Sequence, residues 1–209
     1  MTSISMKYIY FFMLTLLFCS SQMKSQSAPE LQYFPKVKLH IDLGQTAKAE
    51  ALLKGSKPQD QNNYILHYYW GRVASLQFKN DQAISHFKKA IQLNPNDSKS
   101  FAAMALVKGR LGNFKEAIAN LNQAIKINPA YAKAYSNRGV TRGAMKNNAA
   151  AIQDFSMAIR LNPRLVDAYR NRGITKEMMG DLAGACADWK IASALGQEGP
   201  KQWFAAQCK

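Results

Sequence analysis

"AYSNRGVTRGAMKNNAAAIQDFSMAIRLNP" occupies Ala134–Pro163, and "AYRNRGITKEMMGDLAGACADWKIASALGQ" occupies Ala168–Gln197. The second stretch begins 34 residues after the first and keeps A-Y-x-N-R-G intact. A fixed period of about 20–50 residues marks a chain built from stacked copies of one supersecondary unit. The same interval separates Pro95, Pro129 and Pro163, which close the phrases "AIQLNP", "AIKINP" and "AIRLNP". Placing this proline at column 32 starts the units at Tyr64, Ser98, Ala132 and Val166.

In that register column 20 reads Ala83, Ala117, Ala151 and Ala185, and column 27 reads Ala90, Ala124, Ala158 and Ala192. Column 8 is small throughout (Gly71, Ala105, Gly139, Gly173), whereas column 24 is large (Phe87, Leu121, Phe155, Trp189). Column 4 holds His67, Phe101, Tyr135 and Tyr169, and column 21 holds Ile84, Ile118, Ile152 and Cys186. Small residues at 8 and 20 let two helix backbones approach, and the apolar residues at 20, 21, 24, 27 and 28 form one helical stripe. The proline ends the second helix.

This pattern resembles the tetratricopeptide repeat, in which two antiparallel helices pack through small residues at 8, 20 and 27 and large ones at 4 and 24. The resemblance covers about 130 residues and implies an all-α fold, a right-handed superhelical solenoid of antiparallel helix pairs. The units are 64–97, 98–131, 132–165 and 166–198. Residues 28–63 read as a degenerate first hairpin, with Gly44 and Ala49 at columns 15 and 20 and a first helix interrupted by Pro35. Residues 199–209 read as a capping helix, with Pro200 in its first turn and Trp203 and Phe204 covering the end of the stack. The turn between helices departs from the family at Phe78-Lys79 and Lys146-Asn147, where the other units have Gly112-Asn113 and Gly180-Asp181.

Ahead of the repeats, residues 1–27 read as a secretory signal, with Lys7 as the positive start, Ile9–Phe18 as the apolar core and Ser and Gln as the flank. Met6 offers an alternative start. The apolar run is shorter than the roughly 20 residues that span a bilayer. Cleavage after Ser21 or Ser27 places the mature terminus between Gln22 and Ala28, and the chain in the periplasm or outside the cell. The other expectation is a lipoprotein anchored at Cys19, although Phe18 stands where that pattern has Gly, Ala or Ser. Only that lipid would tie the chain to a membrane.

Residues 28–209 hold 26 Lys and Arg against 13 Asp and Glu. The units 98–131 and 132–165 carry net +4 and +5, so basicity peaks in mid-stack and suits an acidic partner. No basic run interleaved with aromatics marks a nucleic-acid platform. His40, His67 and His86 have no metal-ligand spacing, and His67 reads as a packed histidine in the aromatic column. No phosphate loop, nucleophile elbow or acidic cluster is present, so the chain reads as a non-enzyme without cofactor or metal.

The resemblance places the first helix of each unit on the concave face. Columns 2, 5, 9 and 12, with 6 and 13 beside them, are expected to face the groove. The candidate peptide-binding residues are Lys99, Arg110, Lys133, Asn137, Arg170 and Asn171, with Ser136 and Val140 on the same expected face. Asn137 and Asn171 share column 6, where some family members hold a peptide backbone with an asparagine ladder. An amide suits this because it both donates and accepts. Lys99 and Lys133 resemble part of a carboxylate clamp whose other members are missing. Arg138 and Arg172 read as structural groups near the rings of Tyr135 and Tyr169, and Lys108, Arg142 and Lys176 as stems with solvated heads. The expected activity is binding of an extended acidic segment of another protein. The rival is a polyanion binder taking lipid headgroups or acidic glycan. In an oxidising compartment Cys186, at a column facing the next element, is expected to bridge to Cys208; the alternative is a free buried thiol.

Overall fold

The structure, a computed structural model, describes residues 33–56, 62–196 and Cys208. The expected signal segment, residues 1–27, and most of the expected cap, residues 199–209, lie outside the described residues. The chain divides into two compact units, Met1–Ser56 and Lys57–Lys209.

The described residues of the first unit form a hairpin, α1 (Tyr33–Asp42) and α2 (Thr46–Lys54). Phe34, Val37 and Ile41 on α1 and Ala49 and Leu53 on α2 are buried. Pro35 does not interrupt α1: it stands in the first turn, where its missing N–H has no intrahelical acceptor to lose. Gly44 turns the hairpin at φ +69°.

The second unit stacks four hairpins: α3 (Tyr64–Leu76) with α4 (Asn80–Leu93), α5 (Ser98–Arg110) with α6 (Phe114–Ile127), α7 (Ala132–Ala144) with α8 (Asn148–Leu161), and α9 (Val166–Met178) with α10 (Leu182–Ala194). Each second helix packs on the first helix of the next hairpin, and successive first helices also touch. The first helices are therefore aligned along one side of the stack. Isolated helices of 13 or 14 residues are marginal in water, so their stability comes from this stacking.

The interior follows the columns. Ala83, Ala117, Ala151 and Ala185, and likewise Ala90, Ala124, Ala158 and Ala192, are fully covered. Large and small residues interlock at columns 24 and 8. A Cβ on Gly71 would lie 2.6 Å from Phe87 Cε1, and one on Gly139 would lie 2.7 Å from Phe155 Cε1. The second repeat has a smaller Leu121 at column 24 and correspondingly tolerates Ala105 at column 8.

Local chemistry sets the helix ends. Asn94, Asn128 and Asn162 precede the prolines in extended conformation, as a residue before proline must. Their Oδ1 atoms accept from the backbone N–H two residues on, at 3.1, 3.1 and 3.0 Å, forming the Asx turn that begins the next repeat. Asp97 then caps α5, accepting from Ser100 N at 3.1 Å and from Ser100 Oγ at 2.6 Å. Between the helices, Phe78, Gly112, Lys146 and Gly180 all adopt positive φ, at 58°, 80°, 62° and 84°. The sequence departures at Phe78 and Lys146 thus leave the turn unchanged and place non-glycine residues in left-handed conformation.

Candidate functional site

Along the first-helix side, column 2 is exposed at Lys99, Lys133 and Asp167, and column 9 is exposed at Leu106 and Val140. Neither Lys99 nor Lys133 is in an ion pair among the described residues. Asn137 and Asn171 stand half-buried between these columns. Their backbone carbonyls accept from Thr141 Oγ1 and Thr175 Oγ1, at 2.9 and 2.8 Å. Their side-chain amides have no hydrogen-bond partner among the described residues. Two amides one repeat apart thus present their donors and acceptors on the same side of the stack.

Arg170 lies beside Asn171, with Nη2 3.9 Å from Asp167 Oδ1. Its Nε is buried and donates to no described residue. A buried donor without an acceptor costs on the order of 1–3 kcal/mol.

Two expected groove positions are placed differently. Ser136 at column 5 is buried, as is Ala102 one repeat earlier, because this column lies on the packed edge of the helix. Arg110 is held by the preceding hairpin: Nη2 donates to Ser75 O at 3.2 Å and to Asn80 Oδ1 at 2.7 Å, and the guanidinium sits 5.2 Å from the Phe78 ring centre. These partners are neutral, so the guanidinium is oriented by the preceding hairpin while its charge stays exposed.

The structure also shows a polar network absent from the sequence reading. Arg138 donates from Nε and Nη2 to the Asp154 carboxylate, at 3.0 and 2.7 Å, and from Nη1 to Asn122 Oδ1 of the preceding repeat at 2.7 Å. Arg142 Nη1 adds a bond to Asp154 Oδ2 at 2.9 Å. The next repeat repeats the design, with Arg172 bonding Asp188 at 2.8 and 2.6 Å and Ser156 Oγ at 2.9 Å, and with Lys176 2.9 Å from Asp188. Arg138 and Arg172 also face the rings of Tyr135 and Tyr169 at 5.4 and 5.8 Å, so their structural reading holds. The expectation of solvated heads does not: Lys108, Arg142 and Lys176 end on Glu116, Asp154 and Asp188. The signal was legible, since Asp occupies column 23 only in the two units with Arg at column 7. Lys108, hydrogen-bonded to Glu116, holds that carboxyl below its usual range.

In the first repeat the same place holds His86 at column 23 and Trp70 at column 7, with His67 buried at column 4. His86 stacks on Trp70, ring centres 5.9 Å apart. Burial, and secondarily His67, lowers the His86 pKa. Among the described residues no three His, Cys, Asp or Glu side chains converge as a metal cage. At the other end, Cys186 on α10 is joined to Cys208 by a disulfide, with Cα atoms 5.6 Å apart.

Residues 64–97 match the sequence family described as tetratricopeptide repeat, and residues 110–146 match a second description, TPR repeat. No curated protein matches the chain in sequence. Among solved structures, one titled "Crystal structure of MamA" superposes with TM-score 0.62 at 22% identity, covering 79% of this chain and 96% of that one. "MamA 41-end from Desulfovibrio magneticus RS-1" superposes with TM-score 0.61 at 20% identity, covering 77% and 94%. At such identity the likeness is one of fold.

Proposed function

We propose that this tetratricopeptide-repeat protein is a non-catalytic interaction scaffold that holds an extended, acidic segment of another protein on the side lined by α5, α7 and α9. The observation that carries the reading is the pair of unpartnered amides, Asn137 and Asn171, set one repeat apart beside the exposed Lys133 and the partly exposed Arg170. Amides so placed meet a peptide backbone whatever its side chains, and the cations favour carboxylates beside it. Exposed Leu106 and Val140 offer apolar contact between the polar groups. Arg110 keeps an exposed charge, oriented by hydrogen bonds to the preceding hairpin. We further propose that the chain works after export, with residues 1–27 removed.

Losing a neutral hydrogen bond typically costs about 0.5–1.5 kcal/mol, so Asn137→Ala with Asn171→Ala should weaken binding roughly 5- to 150-fold. Titration of acidic peptides against both chains measures this, with melting recorded alongside. Unchanged affinity, or an unfolded double variant, would return the ladder to a structural role. The polyanion alternative predicts a much steeper loss of binding with salt. It is weakened because Lys108, Arg138 and Arg142 of the basic central repeats are tied to the carboxylates of Glu116 and Asp154, the two arginines sharing one of them.

A further inference from the structure

The turns between paired helices leave large apolar side chains in water along one edge of the stack. Phe78, in the turn after α3, is 72% exposed, more than any other large apolar side chain among the described residues. Leu76 beside it is exposed, as are Leu111 and Met145 at the turns after α5 and α7. These three turns adjoin one another. Arg110, at the end of α5, donates to Ser75 O and Asn80 Oδ1 on either side of the first turn, and Met145 of the third lines an open notch with Gly112 and Phe114 of the second.

The fold does not ask for a phenyl ring at this place. Column 15 is glycine in the second and fourth repeats, at Gly112 and Gly180, and its backbone is left-handed in all four. Phe78 therefore carries the strain of a φ of 58° and leaves its ring in water, outside the packed interior. Strain kept with so little packing in return points to a role beyond the folded chain. The other departure from glycine is Lys146, an exposed cation.

The charge around these tips is one-sided. Lys79, Lys115 and Lys146 are exposed and in no ion pair among the described residues. Arg110 keeps its exposed charge 5.2 Å from the centre of the Phe78 ring. The carboxylates at the same turns are Asp81 and Glu116, and Glu116 is taken by Lys108. The fourth turn adds exposed Met178 and Met179 but carries Glu177 and Asp181, so the basic stretch ends at the third. The cations that count against a polyanion reading are tied down on the helices, whereas these lysines are free at the turns. Apolar tips among free cations match a surface that is anionic above and apolar beneath.

We propose that the edge formed by the turns of the first three repeats docks on an anionic phospholipid surface. Phe78 enters below the headgroups, and Lys79, Arg110, Lys115 and Lys146 meet the phosphates. This contact needs no lipid on Cys19 and does not involve the asparagine pair.

The test uses the chain recovered after export, its amino terminus read first so that the apolar run Ile9–Phe18 is known to be gone. In a chain that keeps the run, the fluorescence readout below stands alone. The probe is flotation with vesicles of phosphatidylglycerol and phosphatidylcholine, compared with phosphatidylcholine alone. The wild-type chain should bind the anionic vesicles and not the neutral ones. Phe78→Gly gives this turn the residue of Gly112 and Gly180, so it keeps the fold. It should weaken binding about 10-fold or more, the loss of one buried phenyl ring. Lys146→Gln should weaken it about 5-fold, the share of one cation at an anionic surface. Lys126→Gln, at the other end of α6, removes the same charge and should change it little. An environment-sensitive fluorescent amino acid at position 78 should shift to the blue on anionic vesicles, and one at exposed Ala119 should not. Absence of binding to anionic vesicles, or equal losses from Lys146→Gln and Lys126→Gln with none from Phe78→Gly, would overturn the proposal. So would a Phe78→Gly chain that loses acidic peptide while the wild type ignores vesicles, since the edge would then belong to a protein partner.

Discussion

Within the phrase N-R-G each residue answers to a different demand. Asn137 leaves its amide on the open side of the stack, Arg138 reaches inward to Asp154, and Gly139 makes room for Phe155. The last of these gives a sharp test. Gly139→Ala places a methyl group against the Phe155 ring and should destabilise by about 1–3 kcal/mol, as overpacking does. Adding Phe155→Leu recreates the Ala105/Leu121 pairing of the second repeat and should recover most of that loss in urea unfolding. A second residue-scale prediction concerns Lys146, whose φ of 62° puts an ordinary side chain in left-handed backbone. Lys146→Gly should raise stability by about 0.5–1 kcal/mol, the relief of left-handed strain less the flexibility that glycine adds to the unfolded chain. Thermal melting decides it, with Gly112→Ala expected to shift the other way. The sequence made both turns visible as departures, but it could not say that the turn would keep its geometry. That depends on packing of the helices on either side, which outweighs the strain of one residue.

Between elements, the buried carboxylates join the two helices of one hairpin, and the arginines they hold reach on to the preceding hairpin. The Asp154 side chain is 4% exposed and that of Arg138 is 16% exposed, so both ends are largely withdrawn from water. Asp154→Asn should cost about 2–3 kcal/mol, less than the roughly 3–5 of a fully buried pair because the arginines retain some solvent. Glu116→Gln, at the exposed partner of Lys108, should leave the unfolding midpoint where it is. The helices, their ends and their packed columns were legible because period, proline and small residues all carry local physical signals. Asp154 and Asp188 were not singled out, because scarce acids in basic repeats read as surface composition unless matched to Arg at column 7. The groove was half legible. Columns 2 and 9 face outward as helical geometry requires, whereas column 5 is buried and Arg110 is captured by a neighbour one repeat back. Such long-range capture has no signature within a single repeat.

For the molecule as a whole, repetition serves twice: stacking buries faces that a single hairpin would expose, and it brings equivalent side chains into register. The Cys186–Cys208 disulfide spans 22 residues of sequence at the far end of the stack. In the chain-entropy picture such a loop contributes roughly 3 kcal/mol. Cys208→Ser should therefore lower the unfolding free energy by about that amount, and intact mass without reductant should show the native chain two hydrogens lighter than the reduced one. The central claim is that the partner lies across the first-helix side, and a crosslinking comparison tests it most directly. A photoreactive side chain is placed at Val140, on the proposed binding side, or at exposed Ala119 on a second helix. The account predicts a crosslink to a partner segment from Val140, none from Ala119, and loss of the Val140 product when Asn137 and Asn171 are both replaced by alanine. A crosslink from Ala119 alone, or a Val140 product indifferent to the two asparagines, would contradict it.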